Sequence, residues 1–253
     1  MNKSDIYNPA KYSSVESLAS TPLHILVARL MVMVFGNIAQ QSYWNVLPRG
    51  AYAYGLLRAC RLAKVCGVRR FSACEFGVAE GCGLDLLCRY AIKVSKAAGI
   101  GIDVHGFDSG IGLPPTIDRR DHLEIYRPGD FKPTEDLRRK FNGRCEVHLG
   151  LIEDTLPKVV LGAPVGFASI DLDYYTSSAV ALEFVRTNAM PYASLYFDDV
   201  CHITASRARG ELLAIDRFNH PFGGDFIDRD RLLPGSRIVS AAWFQNMYLL
   251  TKI

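Results

Sequence analysis

Short runs of apolar, β-branched and aromatic residues alternate along this chain with stretches whose apolar positions recur every three or four residues. The runs fall at 71–76, 102–107, 145–150, 165–171 and 193–199, and their length and make-up predict strands. Between the first two, Leu84, Leu87, Cys88, Ala91 and Val94 keep helical spacing; between the last two, Val180, Leu182, Phe184 and Val185 do so behind a Thr176-Ser177-Ser178 cap. Helices over about 134–142 and 210–219 fill two further crossovers. Such alternation predicts a parallel sheet with crossover helices. The chain ends differently: within 236–253 two strand-like runs are separated by only a few residues near Gln245, which predicts an antiparallel hairpin. The expected fold class is α/β, a mostly parallel seven-stranded sheet with a C-terminal antiparallel hairpin.

Ahead of the sheet, 52–66 reads as an amphipathic helix with Arg58, Arg61 and Lys64 on one side, expected to be a solvated face. The segment 23–39 is apolar, but Arg29 and Asn37 interrupt it and it is short for a bilayer span. It is expected to be a helix buried against the domain or against another subunit. The division that follows is an N-terminal helical extension at 1–66 and one domain at 67–253, in a homo-oligomer without a membrane partner. Of the 253 residues, 49% are hydrophobic and 22% charged, which suits a single packed core. A net charge of +3 with the signs interspersed lacks the basic stripe that nucleic acid requires. The seven cysteines form no C-x-x-C pair and are odd in number, which fits reduced thiols and a cytoplasmic location.

The first strand runs into Cys74-Glu75-Phe76-Gly77-Val78-Ala79-Glu80-Gly81-Cys82-Gly83. A glycine-rich turn leaving a parallel strand lets a ligand approach the backbone, although it can also be purely structural. The glycines stand at relative positions one, five and seven, whereas a dinucleotide fingerprint needs one, three and six. The second strand ends in His105-Gly106-Phe107-Asp108-Ser109, and Asp108 either meets the vicinal hydroxyls of a ribose or caps a turn. With Glu75 on the neighbouring strand, two carboxylates face one crevice. A ligand carrying both an ammonium and a ribose diol suits them.

The densest chemistry is Asp171-Leu172-Asp173-Tyr174-Tyr175 after the fourth strand and Asp198-Asp199 after the fifth. These strands are expected to be neighbours, so Asp171, Asp198 and Asp199 can share one space. Their repulsion there calls for a cation, and a hard, oxygen-seeking ion such as magnesium answers it. Adjacent aspartates at a strand end can also be ordinary loop residues.

Taken together, the blocks Glu75-Phe76-Gly77-Val78 with Gly81, Gly106-Phe107-Asp108-Ser109, Gly112-Leu113-Pro114, Glu153-Asp154-Thr155-Leu156-Pro157, Asp171-x-Asp173-x-Tyr175-x-Ser177 and Asp198-Asp199 resemble the macrocin O-methyltransferase family. They stand in the family's order over 71–199. The resemblance implies a Rossmann-like class I methyltransferase fold, S-adenosylmethionine as methyl donor, and Mg2+ or another divalent cation assisting transfer to a hydroxyl, commonly on a sugar of a secondary metabolite. It implies Asp171, Asp198 and Asp199 as metal ligands and Asp173 as a base. The expected cofactor contacts are Glu75, Gly77, Val78, Ala79, Gly81, Gly83, Asp108, Ser109, Ile152 and Asp171. A weaker similarity to catechol O-methyltransferase supports the same three ligands.

In-line transfer from a sulfonium mainly needs alignment and removal of the acceptor's proton. Asp173 or His202 is expected to take that proton. The long stretch 110–131, rich in proline, aspartate and arginine, is a candidate lid over a small-molecule hydroxyl acceptor, with 201–209 as a second wall. The histidines at 24, 105, 122, 148 and 220 stand singly without ligand spacing and receive no role. A non-catalytic nucleoside-binding protein, or a metal-dependent hydrolase or hydroxylase on a related sheet, are the competing readings.

Overall fold

Strands that are apolar on both faces must be covered on both, and the two central strands here are buried at nearly every position. The structure, a computed structural model, describes residues 22–201, 205–220, 224–235 and 239–253, with backbone alone at 234 and 235. Its sheet comprises β1 (Arg70–Phe76), β2 (Gly101–Asp108), β3 (Glu146–Leu149), β4 (Val165–Ile170), β5 (Ala189–Phe197), β6 (Phe226–Arg229) and β7 (Met247–Thr251). The spatial order is β3-β2-β1-β4-β5-β7-β6. The first five strands run parallel, and β7 is antiparallel to both of its neighbours. All six positions of β4 are buried, as are six of seven in β1, which is the signature of a sheet sandwiched between helices.

The helices are α1 (Leu23–Phe35), α2 (Ile38–Tyr43), α3 (Gly50–Val65), α4 (Cys82–Ala98), α5 (Leu137–Lys140), α6 (Ile152–Thr155), α7 (Tyr175–Asn188), α8 (Gly210–Phe218) and α9 (Leu232–Gly235). On one face α3 packs against α4, β4 and β5, burying Tyr52, Leu56, Phe71, Leu84, Leu87 and Phe167. On the other, α7 and α8 pack together over Phe76, Phe107, Leu182, Val185 and Phe197. Chain order reverses between β1 and β4, which opens a crevice at their carboxyl ends.

Several expectations need correction. The antiparallel pair exists, but its outer strand is Phe226–Arg229 rather than a run inside 236–253, and α9 and a 3-10 turn at Ala242–Asn246 lie in the connection. This edge strand buries only Ile227 of its four residues, so it leaves almost no periodic signal. The helix expected at 134–142 is the single turn α5, started by Asp136, whose side chain accepts from Arg139 N. The segment 23–39 is two helices, because Asn37 and Gln40 form a reciprocal capping box that starts a new one. No residue of α1 is fully buried within the chain; Ile25, Leu26, Ala28 and Arg29 are half-buried, and Arg29 Nη2 donates to Asn45 O at 3.0 Å. No helix among the described residues is long and apolar enough to cross a membrane. Arg58 does not belong to a solvated face either: its Nε reaches Asp230 Oδ2 at 3.1 Å, and Tyr54 donates to the same oxygen at 2.7 Å. All seven cysteines are free thiols.

Candidate active site

Register brings the strand ends to one level. Phe76 pairs with Phe107 and Ile170, and Ile170 pairs with Phe197. Gly77, Asp171 and Asp198 follow directly, each donating its backbone N–H to a residue at the end of the neighbouring strand: Gly77 to Phe107 O, Asp171 to Phe76 O and Asp198 to Ile170 O, at 2.9, 2.9 and 3.1 Å. The glycine turn and the aspartates therefore share one rim.

At Gly77 a side chain is sterically excluded, since φ is +86° and a Cβ would stand 1.8 Å from Asp171 O. Ala79 is held at φ +47° and Gly81 at φ +82°, the latter starting α4. Non-glycine residues in that region carry strain that a folded scaffold must impose. Asp108 imposes it here: its Oδ2 accepts from Val78 N and Ala79 N, both at 2.9 Å, while Oδ1 accepts from Gly110 N at 2.7 Å. The turn-capping reading of Asp108 is thus present in the structure, and the carboxylate retains acceptor capacity beyond these three bonds. Ser109 closes the next turn, donating to Gly112 O at 2.6 Å. Ile152 opens α6 beyond β3 and packs partly buried against the core that holds Phe76 and Phe107.

Glu75 lies beneath this turn, 1% exposed. Its Oε1 accepts from Tyr52 OH at 2.8 Å, and Arg49 Nη1 is 3.8 Å away. Oε2 is buried without a hydrogen-bond partner. Burial pushes the carboxyl up to about 7, against the opposing pull of Arg49 and Tyr52. Gly83 is tight against it, since a Cβ there would come within 2.1 Å of Glu75 Oε1. Tyr52 also receives a bond from Ser169 Oγ at 3.0 Å. Neither Arg49 nor Tyr52 stood out in the sequence, because their helix belongs to the N-terminal segment and only folding sets it over β1.

The carboxylates form the opposite side. Asp173 is buried at φ +60° and Asp199 is buried beside it, within hydrogen-bond reach. Burial, then the neighbouring acids, hold Asp171 and Asp173 well above the usual carboxylate range. Tyr196 OH donates to Asp198 Oδ1 at 2.5 Å and Tyr126 OH to Asp199 Oδ2 at 3.0 Å. The sequence reading missed a further acid: Glu211, in the first turn of α8, is 1% exposed and accepts from Leu172 N and Asp199 N at 3.1 and 3.0 Å. One side chain thereby ties together the two loops that carry the aspartates. The signal for it was available, since Glu211 opens a helix expected at 210.

Asp171, Asp198 and Asp199 share this region, but their oxygens do not all come within 4.8 Å of one another. Among the described residues only His105, Glu146 and His148 form such a trio. His202 lies outside the described residues. The stretch 110–131 has no helix or strand, yet its middle is anchored. Asp121 is buried and accepts from Thr116 Oγ1, Thr176 N and Thr176 Oγ1. Arg120 O accepts from Gly210 N, and the Arg120 guanidinium stacks 4.3 Å over the Tyr175 ring. Tyr126 from this loop reaches the aspartates, while Arg119 and Arg127 stay exposed.

No protein-family model matches the chain, and a comparison with curated proteins finds no match. Among solved structures it is similar to the O-methyltransferase NovP, at 17% identity and a TM-score of 0.50, over 79% of this chain and 78% of that one. It is also similar to CalS11, a calicheamicin methyltransferase, at 19% identity and a TM-score of 0.51, over 90% and 91% of the two chains. At these identities the likeness is one of fold: the chain has the Rossmann-like architecture of class I methyltransferases, as its strand order independently states.

Proposed function

We propose that this protein is an S-adenosylmethionine-dependent O-methyltransferase that acts on a hydroxyl of a small molecule, assisted by a divalent cation. The observation that carries the reading is Glu75: a buried carboxylate with an unpartnered oxygen, set under a glycine turn at the switch point of the sheet. Such a group is costly in an empty protein and suits a ligand ammonium. The fold shared with NovP and CalS11 supports it, and the macrocin-type blocks favour a sugar or secondary-metabolite acceptor. Bound S-adenosylmethionine would supply an activated methyl, and Mg2+ held by Asp171, Asp198 and Asp199 would lower the pKa of an acceptor hydroxyl.

The hard oxygen donors suit such an ion, and binding it would draw the three carboxylates closer together than they stand here. The chain's own residues do the rest. Gly77 and Gly81 let the ligand meet backbone, and Asp108 fixes the turn while keeping acceptor capacity for a ribose diol. Asp173, buried beside Asp199, is the candidate to take the acceptor's proton, in the ionised form that a bound cation would favour. His202 is the second candidate base. Tyr126 and Glu211 hold the loops that carry Asp171, Asp173 and Asp199.

Calorimetry of the purified protein with S-adenosylhomocysteine, with and without Mg2+, tests the reading. A methyltransferase binds the nucleoside in both conditions and needs the cation only for turnover. Failure to bind S-adenosylhomocysteine at all would overturn the assignment in favour of a hydrolase or hydroxylase. Binding without any transfer to hydroxyl acceptors would leave a nucleoside-binding protein.

A further inference from the structure

Two histidines without ligand spacing in the sequence meet an acid at the free edge of the sheet. Parallel pairing of β2 with β3 sets His105 opposite Glu146 and Phe107 opposite His148, so residues 105, 146 and 148 share one face. His105 Nδ1 is 3.4 Å from His148 Nε2 and 3.6 Å from Glu146 Oε2, and the latter two atoms are 3.8 Å apart. These spacings are long for hydrogen bonds. His105 is 4% exposed, and its other ring nitrogen, Nε2, has no partner. One ring nitrogen of this buried imidazole thus has no partner and the other only a long contact to His148, which is uncommon in a folded interior.

We infer that His105 Nδ1, His148 Nε2 and Glu146 Oε2 form a binding site for a first-row divalent transition ion of the zinc type. A point equidistant from the three atoms lies about 2.1 Å from each, within the range of zinc–imidazole and zinc–carboxylate bonds. Donors at tetrahedral angles and that bond length are about 3.4 Å apart, against about 3.0 Å for an octahedral ion, so the three atoms have to close by about 0.2 Å on average to seat a tetrahedral ion above their plane and by about 0.6 Å for an octahedral one, which favours zinc over magnesium. Burial lowers the affinity of both imidazoles for protons, leaving them neutral and able to ligate. The Glu146 side chain is 71% exposed and that of His148 20%, so an ion can reach the site from solvent. The His148 ring is also stacked on Phe107, 4.7 Å between centroids, which fixes its orientation.

The ion would clip the four-residue strand β3 to β2. Edge strands this short fray easily, and β3 leads directly into α6. The site is separate from the aspartate cluster and stands whether or not the protein transfers methyl groups.

The test uses the full chain, stripped with a chelator and titrated with Zn2+ in Mg2+-containing buffer, by calorimetry and thermal unfolding. Wild type should take up Zn2+ at this site with a rise in Tm. His148→Ala and Glu146→Gln, both at partly or fully exposed positions, should each weaken that binding by at least about tenfold, because losing a ligand costs no less than losing a ligand's supporting partner. Both variants should also lose the zinc-dependent rise in Tm. Asp199→Asn and Cys82→Ser should keep both. Unchanged Zn2+ affinity in His148→Ala, or loss of binding in Asp199→Asn or Cys82→Ser instead, would overturn the site.

Discussion

A carboxylate sealed in a protein interior resists ionising, and Glu75 does so at the switch point of the sheet. Unfolded, it titrates near 4.5; folded, near 7. Between those values the folded state holds more protons, so stability falls as pH rises through the window and stays low above it. The shift corresponds to about 3 kcal/mol at most. Glu75→Gln should therefore raise the Tm of the ligand-free protein at pH 8 and change it little at pH 4. The same substitution should weaken S-adenosylhomocysteine by about 1–3 kcal/mol, the scale of a hydrogen bond to a charged group. A variant no more stable at pH 8 than at pH 4, relative to wild type, would contradict the burial of an unpaired charge. Gly77 offers a steric test at the same scale. Gly99→Ala, with a φ of +69° and nothing within 4 Å, should lose about 1 kcal/mol. Gly77→Ala must displace the backbone of Asp171 and should lose several times that in denaturant unfolding. Equal midpoints for the two variants would mean that β1 and β4 do not meet as closely as described.

Among the elements, α8 does more than cover the sheet. Through Glu211 its first turn accepts from the backbone after β4 and after β5. Glu211→Ala leaves two N–H groups without acceptors, at about 1–3 kcal/mol each if both stay buried. It should lower Tm and speed hydrogen exchange at Leu172 and Asp199 while sparing Glu75 and the glycine turn. Exchange unaltered at both positions would remove the clamp. The loop 110–131 reads as a lid by composition, but Asp121 and Tyr126 fasten its middle to α7 and Asp199, so any opening has to break those bonds. The helix α1 presents an apolar outer side, with Leu23, Val27, Leu30, Met31, Met33, Val34 and Phe35 all exposed. A subunit contact there remains our proposal. Light scattering of the full chain should report an oligomer, and Leu30→Glu with Val34→Glu should reduce its mass; a wild-type monomer would remove the contact.

At the scale of the molecule, the proposed function assigns donor binding to one half of the crevice and acceptor chemistry to the other. Glu75, the glycine turn and Asp108 sit on β1 and β2, the aspartates on β4 and β5. A chelator should abolish methyl transfer and Mg2+ restore it, while S-adenosylhomocysteine affinity changes little. Asp199→Asn should depress turnover through the metal, and Asp173→Asn should depress it with metal affinity intact. Full turnover in chelator would sink the metal-assisted reading. The alternation of buried strands and amphipathic helices, the position of each acid at a strand end and the glycines of the first turn were legible in the chain, because each depends on local periodicity or on a residue's own backbone preference. The tertiary structure alone decided the rest. Which strands neighbour one another set Tyr52 and Arg49 over Glu75, put Glu211 across two loops, and turned Arg58 inward to Asp230. The pairing of β2 with β3 brought His105 to Glu146 and His148, some forty residues away. Contacts of that kind leave no periodic trace, since the sheet's order and register, not the spacing along the chain, fix which side chains meet.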